Sequence, residues 1–419
     1  MRRPLLYIFI FVICISFVYT NSESLDKSYN DDTVEIIGTV GYKKEKQKYD
    51  EYKINEFLII DYTKKKKLRV GTEIKVVGKF KSLDDMNYEE FNYGKYLKSI
   101  GYEGLIYIDK YEIIGENSLY KSLATLKTYI RSSTRYLYKK NSDFINSLIL
   151  GEKEQLTQEE NELFSRTGTS HIIAISGLHT GILCVLVTII IGGINKVSKL
   201  LILIISMCLY CIMIGLTPSI LRAIAFITIL YLAVFLDKKR DGISTLSLIG
   251  IFLVINNPYI IYNISFQLSF LATLSIIYFY GYINNVIKIS LISLTLASNI
   301  LTLPIIYYNF KGIPIISVIS NIIIVPFIGL IIYMSIISVT IFKINIGLAK
   351  FIAYFNRVLI NGIYYLLDML SNLDFAYIEI DNPSMVYVII YYIAVFLYMI
   401  YKELKVMKEQ INELQGYYN

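Results

Sequence analysis

Long apolar segments follow one another along most of this 419-residue chain, and they constrain its fold more than any other feature. A run of about 20 apolar residues crosses the hydrocarbon core of a bilayer as a helix. Hydrophobic residues make up 55% of the chain, too large a share for an ordinary soluble domain. The sequence therefore predicts a polytopic α-helical membrane protein. Ten candidate spans lie at residues 5–19, 171–193, 199–214, 219–236, 243–256, 264–283, 286–308, 314–342, 351–370 and 384–401.

Positive charge predicts an orientation for these spans, because Lys and Arg collect in cytoplasmic loops. Arg2 and Arg3 precede the first span, so we interpret residues 1–20 as a signal anchor, with a cleaved signal peptide as the alternative. The other basic loops alternate along the chain and place both termini inside the cell. The segment at 314–342 is long for one span and contains Pro326, so two broken half-helices are an alternative that would invert the orientation of every later span.

Residues 21–118 have a different pattern, of short alternating segments separated by Gly and charged residues. Strands at 34–40, 52–60, 73–78 and 105–108 predict a small all-β, OB-like domain outside the cell. We count 17 Lys and Arg against 19 Asp and Glu in this domain, which argues against simple electrostatic capture of DNA. The 38 tyrosines of the chain are typical of an AT-rich coding sequence, so composition alone does not indicate a base-stacking surface.

Residues 119–170 contain amphipathic stretches, which predict helices lying at the membrane interface. Glu152 and Glu154 in this region are interpreted as part of a solvated loop. The multi-span domain would then occupy residues 171–401, and 402–419 would form a short polar tail. Cys208 and Cys211 form a C-x-x-C inside an apolar segment, where packing is the favoured role.

Both histidines of the chain, His171 and His179, lie in one short stretch at the start of an apolar segment. On a continuous helix they would be about 80° apart around the axis and would face one cavity. A metal site would need a third ligand, and we expect none. Interhelical hydrogen bonding and direct lining of a polar pathway both remain open. Between them, Ser176 and Gly177 indicate either a helix break that exposes backbone N–H groups to an anion or tight helix packing.

Other polar side chains fall within apolar segments, and each has a functional and a structural interpretation. Arg222 would hold a phosphate in a water-filled passage, or would extend to the membrane interface. The neutral side chains would contact a substrate in the pathway, or would hydrogen-bond neighbouring helices. These neutral candidates are Gln267, Ser269, Asn299 and Asn321.

Several blocks of this sequence resemble the ComEC family of competence proteins. The stretch His171-Ile-Ile-Ala-Ile-Ser-Gly-Leu-His179-Thr-Gly is similar to the family's His-Leu-(Leu/Val)-Ala-Ile-Ser-Gly-Leu-His-Val-Gly. Pro218-Ser-Ile-Leu-Arg222-Ala and Phe266-Gln-Leu-Ser-Phe270 resemble two further family blocks in order and spacing. The resemblance extends over roughly residues 30–340.

The resemblance implies a channel of the cell membrane that takes up single-stranded DNA during natural transformation, with the OB-like domain receiving the strand. It implies as partners a cytoplasmic helicase and an extracytoplasmic DNA receptor, and a separate nuclease and further copies of the chain are additional candidates. The His-x-His-x-Asp-His run of the family's metallo-β-lactamase-like nuclease is not in this sequence, so we expect neither enzyme activity nor a cofactor. The alternative is a transporter of a small solute, or a degenerate relative outside competence.

Overall fold

A computed structural model describes residues 3–22, 32–46, 48–63, 68–88, 91–215, 220–221, 223–226, 228–229 and 241–416. These residues form a mostly helical protein with a small β-barrel near the N-terminus. The helices are α1 (Pro4–Ser22), α2 (Tyr93–Ser99), α3 (Ser118–Tyr138), α4 (Ser142–Leu150), α5 (Gln158–Arg166), α6 (Ser170–Ile173), α7 (Gly177–Ile191), α8 (Lys196–Ile214), α9 (Gly242–Asn256), α10 (Ile264–Ile287), α11 (Ser290–Phe310), α12 (Ser317–Phe342), α13 (Ile346–Ser371) and α14 (Met385–Gly416).

Five strands close the barrel in the order β1-β2-β3-β7-β4, with β4 pairing back to β1. The alternating pattern of the sequence buries one face of each strand around a core that includes Tyr52, Ile74 and Ile106. The predicted strand at 52–60 is instead two strands, because Asn55 adopts a φ of 51° and turns the chain. All strands of the structure are β1 (Thr33–Glu45), β2 (Asp50–Ile54), β3 (Phe57–Asp61), β4 (Thr72–Lys81), β5 (Asn87–Tyr88), β6 (Phe91–Asn92), β7 (Gly104–Glu116), β8 (Gly312–Pro314) and β9 (Tyr377–Glu379).

Six of the ten predicted spans are helices long and apolar enough to cross a membrane, which is consistent with a multi-pass membrane protein. These six are α1, α8, α10, α11, α12 and α14. Two predicted spans are shorter, since α7 and α9 have 15 residues each. The predicted span at 351–370 lies in α13, which is amphipathic: it carries Lys350, Arg357 and Asp368 and packs one face into the core. Most of the predicted span at 219–236 lies outside the described residues.

The alternative of two half-helices at 314–342 is wrong, because α12 is one continuous helix from Ser317 to Phe342. Pro326 lies within it and removes one backbone donor. Proline is tolerated in apolar helices when neighbouring helices pack around the site. Ile324 and Ile328, on either side of Pro326, are fully buried in the main core.

Contacts between distant residues define two ends of the helical region. At one end, the barrel's α2 packs on the loop before α10, where Asn257 Nδ2 donates to the Lys98 carbonyl at 2.8 Å. The last turn of α1 reaches the same loop, with Thr20 Oγ1 2.9 Å from the Tyr262 hydroxyl. At the opposite end, Arg3 lies 3.7 Å from Asp241 and 3.8 Å from Glu403. This grouping agrees with the orientation predicted from charge; which end faces the cytoplasm stays a prediction.

The segment 118–166 joins the barrel to the helical core. Its first helix, α3, begins where the Lys121 backbone lies against Gly71 of the barrel. It ends beside the turn between α12 and α13, where the Tyr136 ring lies 5.3 Å from Phe342. The chain then returns along α13, with Asn141 donating to Asn361 and Arg166 to the Ser371 carbonyl. The boundary predicted at residue 402 does not coincide with a helix end, since α14 continues to Gly416.

Candidate functional site

The stretch that contains both histidines is broken, not continuous. The short helix α6 ends at Ile173, and α7 begins at Gly177 after Ser176 in extended conformation. The separation of about 80° calculated for a continuous helix therefore does not apply to His171 and His179, and of the two interpretations of Ser176 and Gly177 the structure has the helix break. Ala174 and Ser176 both have β-region backbone angles, which no α-helix can contain.

His179 closes the first turn of α7. The backbone N–H of Ser176 donates to His179 Nδ1 at 3.2 Å, and the Ser176 hydroxyl lies 3.1 Å from the same nitrogen. This is a capping box in which histidine replaces the usual Glu or Gln. A nitrogen that accepts a backbone N–H carries no proton, so the neutral ring holds its proton on Nε2. Nε2 is buried and approaches the Ile172 carbonyl, yet has no partner in hydrogen-bond geometry among the described residues.

The two histidines differ in access to solvent. His179 is fully buried, whereas His171 is exposed. Among the described residues there is no group of three His, Cys, Asp or Glu side chains that could hold a metal ion. His179 thus has a structural hydrogen-bonding role, and His171 lies outside this cap.

A polar junction lies where α6, α11 and α12 meet. Asn299 Nδ2 is 3.4 Å from Ser317 Oγ, which joins the middle of α11 to the first turn of α12. A Cβ added to Gly168 would lie 2.5 Å from Ser317 Cβ, so the segment leading to His171 packs directly on Ser317. Asn321, one turn further along α12, is 7% exposed, and its Oδ1 has no partner among the described residues. The structure thus groups Asn299 and Asn321 around Ser317, a residue not predicted as part of the site.

The other predicted site residues are not part of this junction. Gln267 Nε2 donates to the Ile261 carbonyl at 2.8 Å, and the Ser269 carbonyl accepts from Thr273 at 2.9 Å. Both contacts stabilise the start of α10, near the barrel. Arg222 lies outside the described residues. Cys211 is buried and Cys208 is exposed, and both are free thiols.

The prediction that Glu152 lies in a solvated loop is wrong, because this carboxylate belongs to a buried ion cluster. It is 8% exposed and binds Arg131 through both carboxylate oxygens, with Lys127 Nζ at 3.4 Å. Hydrogen bonding to Glu152 raises the pKa of Arg131, and burial lowers the pKa of Lys127. Glu154 in the same loop pairs with Lys44 of the barrel at 2.9 Å. The loop therefore links the barrel to α3.

The barrel carries a tyrosine and lysine surface, which we define by Tyr49, Tyr62, Tyr107 and Lys46. Tyr62 is 60% exposed, stacks on Tyr107 at 5.9 Å and contacts Tyr49 at 5.4 Å. Lys46 Nζ lies 5.1 Å from the centre of the Tyr49 ring. Tyr49 and Tyr107 also pack against the cluster of buried residues that includes α2, the element that docks on the helical region. No sequence pattern indicated this surface, because tyrosine is abundant throughout the chain.

Comparisons with known proteins identify the family. A family model described as "Competence protein" matches residues 148–405, more than half of the chain. "ComE operon protein 3" of Bacillus subtilis (strain 168) is 31% identical over 289 residues, which are 67% of this chain and 37% of that protein. The chain thus aligns with little more than a third of its relative's length. The matched region contains the broken histidine stretch, the Ser317 junction and all of α13. The chain belongs to the ComEC family of competence proteins.

Proposed function

We propose that this chain carries single-stranded DNA across the cell membrane during natural transformation, as a multi-pass channel and not as an enzyme. The observation that carries the proposal is the position of the barrel. Its exposed tyrosine and lysine surface belongs to the same side of the barrel as α2, which packs on the loop before α10. A strand bound there would lie beside the helices that are long enough to span a membrane.

The barrel would hold the strand mainly by stacking. Every base has a π face, so exposed aromatic rings bind single strands with little sequence preference. Tyr62 offers the most exposed ring of its group, and Lys46, over the Tyr49 ring, is paired with Glu51. The near balance of acidic and basic residues in this domain limits phosphate attraction. Binding by stacking, with only weak electrostatic attraction, suits a domain that must pass the strand on to the helical region.

The helical region would supply a polar route. At the break before α7, the first N–H groups of Gly177 and Leu178 have no acceptor within the helix, and such groups bind phosphate oxygens. His171 is exposed close to this break in the chain. Arg222, Gln267, Ser269, Asn299 and Asn321 remain candidates for contacts further along. The sequence has no nucleotide-binding loop of the type Gly-x-x-x-x-Gly-Lys-Ser/Thr. We further propose that a cytoplasmic helicase drives the strand inward, that an external receptor delivers it, and that a nuclease acting with this chain degrades the other strand.

A second candidate function is transport of a small solute by the same helical core. The near-neutral barrel favours it, because most DNA-binding surfaces are basic. The two functions differ in their need for the exposed tyrosines, since a small-solute transporter has no use for base stacking.

The test is internalisation of labelled DNA in a competent bacterium that lacks its own channel and expresses this chain, with or without a separately supplied nuclease domain. Uptake by the chain alone supports a self-sufficient channel, and uptake only with the nuclease supports the channel half of a split system. Absence of uptake in both cases, with the chain present in the membrane fraction, contradicts the proposal and favours solute transport.

A further inference from the structure

The helix α3 carries a continuous row of exposed polar side chains, which we call the α3 polar stripe. Its members are three or four residues apart, so they lie on one side of the helix. At 1.5 Å per residue the stripe is about 27 Å long, close to the hydrocarbon thickness of a bilayer. The helix contains four basic and no acidic residues. The stripe consists of Lys121, Thr125, Thr128, Ser132, Arg135 and, just past the helix end, Lys139, all of them exposed.

The stripe runs from the barrel into the helical region. Its first member, Lys121, lies beside Gly71 of the barrel. Towards its other end, the Tyr129 hydroxyl donates to the Val339 carbonyl at 3.0 Å, near the end of α12. Tyr138 then accepts from Asn356 Nδ2 of α13 at 3.2 Å. The opposite face of α3 packs into the main core through Leu137 and Tyr138.

The position next to α12 restricts what the stripe can face. The helix α12 is the most apolar of the six span-length helices, with a mean hydropathy of 2.7. A row of hydroxyls and cations beside its C-terminal third would be costly against acyl chains, where polar groups have no water. A stripe that bordered water along its length, from the barrel along α3, would avoid this cost.

We propose that the α3 polar stripe is one wall of a water-filled groove that holds the phosphodiester backbone of a single strand on its way from the barrel. This inference rests on the proposed function and names the side chains that line the route. Cations at the far end, Arg135 and Lys139, attract a polyanion, whereas Lys121 near the barrel is paired with Glu116, just before the helix. The helix α3 itself contains no carboxylate.

The hydroxyls between these cations suit movement more than tight binding. Thr125, Thr128 and Ser132 each donate to a carbonyl of their own helix, at 2.8, 2.8 and 2.9 Å. Their protons are thus engaged, and a passing phosphate finds no strong donor in the middle of the stripe. A strand would be attracted most strongly at the end with Arg135 and Lys139 and would slide along the rest of the stripe.

The test is cysteine labelling in the full chain with its four native cysteines replaced by alanine. Single variants Thr125→Cys, Thr128→Cys and Ser132→Cys are exposed to a small, membrane-impermeant thiol reagent and to a bulky polymer maleimide. The control is Ile393→Cys, which is 55% exposed on α14, one of the helices long and apolar enough to cross a membrane, and would face lipid. We expect the small reagent to label all three stripe positions and not the control. The bulky reagent should lose access towards Ser132, and an oligothymidylate should protect the stripe from both reagents.

Two results would overturn the proposal. If the small reagent fails to label the stripe, the stripe does not border water. If both reagents label all three positions equally and the oligothymidylate protects none, α3 lies on an open surface and holds no strand. Because labelling requires no uptake, either result can be compared with the internalisation assay. If DNA uptake is normal but the oligothymidylate does not protect the stripe from labelling, only this route is refuted. If there is neither DNA uptake nor protection of the stripe, the proposed function is refuted as well.

Discussion

The backbone N–H of Ser176 donates to Nδ1 of His179 at 3.2 Å, so the second histidine of the motif fixes the start of a helix. In this cap the ring of His179 is fully buried. Ser176, three residues earlier, is the N-cap residue and has an extended backbone. The cap also separates the two histidines by role, since His171 is exposed and outside the cap.

Replacing His179 should destabilise the chain through the loss of this cap. We expect His179→Ala to lower the free energy of unfolding by about 1 kcal/mol, the usual value of a helix cap. Glutamine is a natural residue at this position of a capping box, so His179→Gln should retain most of the stability. Thermal unfolding of the purified chain in detergent measures both. Equal losses for the two variants would contradict the capping role.

Two glycines of the same region provide a matched pair. Gly168 has a φ of 69°, and its added Cβ would lie 2.5 Å from Ser317 Cβ, whereas Gly181 has open space around it. Gly168→Ala should therefore destabilise the chain by at least about 1 kcal/mol. Gly181→Ala, inside α7, should be neutral or stabilising, since alanine favours helices by about 1 kcal/mol over glycine. The readout is the unfolding temperature, and similar values for both variants would argue against the Ser317 junction.

The buried carboxylate of Glu152 should contribute more to the stability of the chain than the partly exposed carboxylate of Glu154. Glu152→Ala leaves Arg131 and Lys127 without their shared partner and should cost about 2 kcal/mol, as for hydrogen bonds to charged groups. Glu154→Ala breaks only the partly exposed pair with Lys44 and should cost less than about 1 kcal/mol. Chemical unfolding of both variants compares them, and the reverse order would be inconsistent with the burial of Glu152.

The pair between Lys44 and Glu154 should respond to acid. Burial alone would raise the pKa of Glu154, but the hydrogen bond from Lys44 and nearby positive charge hold it below the usual value. A carboxyl group whose pKa is lowered by folding stabilises the protein at any pH above its unfolded pKa, which is about 4.3 for Glu. That stabilisation is lost as the pH falls through the folded pKa. The stability difference between the native chain and Glu154→Gln should thus begin to decrease at about pH 4 and vanish once the pH is below the folded pKa of Glu154. A difference that stays constant from neutral to acid pH would contradict this pairing.

Tyr62 should contribute directly to binding of single strands. Removing one stacked ring costs about 1–3 kcal/mol, so Tyr62→Ala should weaken oligothymidylate binding by about fivefold to 150-fold. Ile37→Ala is the control, because Ile37 is also 60% exposed on the barrel and has no ring to stack. Fluorescence anisotropy with the full chain in detergent gives both affinities. The difference should persist at high salt, since stacking depends little on ionic strength.

Periodicity in the sequence was enough to predict the barrel and most of the apolar helices. Alternation of apolar residues gives strands, and long apolar runs give helices, so both signals are local. The split at Asn55 was missed because only its left-handed backbone angle separates β2 from β3. The span predicted at 351–370 is not among the span-length apolar helices, because α13 carries three charged residues and packs one face into the core.

The site was less predictable than the fold. Polar residues within apolar segments stood out, but their partners come from distant parts of the chain, as Ser317 does for Asn299. Glu152 resembled a loop residue because Arg131 and Lys127 lie a full helix earlier in the sequence. Tyr62 could not be distinguished among 38 tyrosines until its stacking on Tyr107 was known.

The most direct test of the central claim is the ionic current through the purified chain in a planar bilayer. We expect a steady conductance that single-stranded DNA, added on the barrel side, interrupts in transient blockades whose duration increases with strand length. A duplex of the same sequence should cause no such length-dependent events. A bilayer that contains the chain but shows no conductance, or equal blockades by single strands and duplexes, would contradict the account.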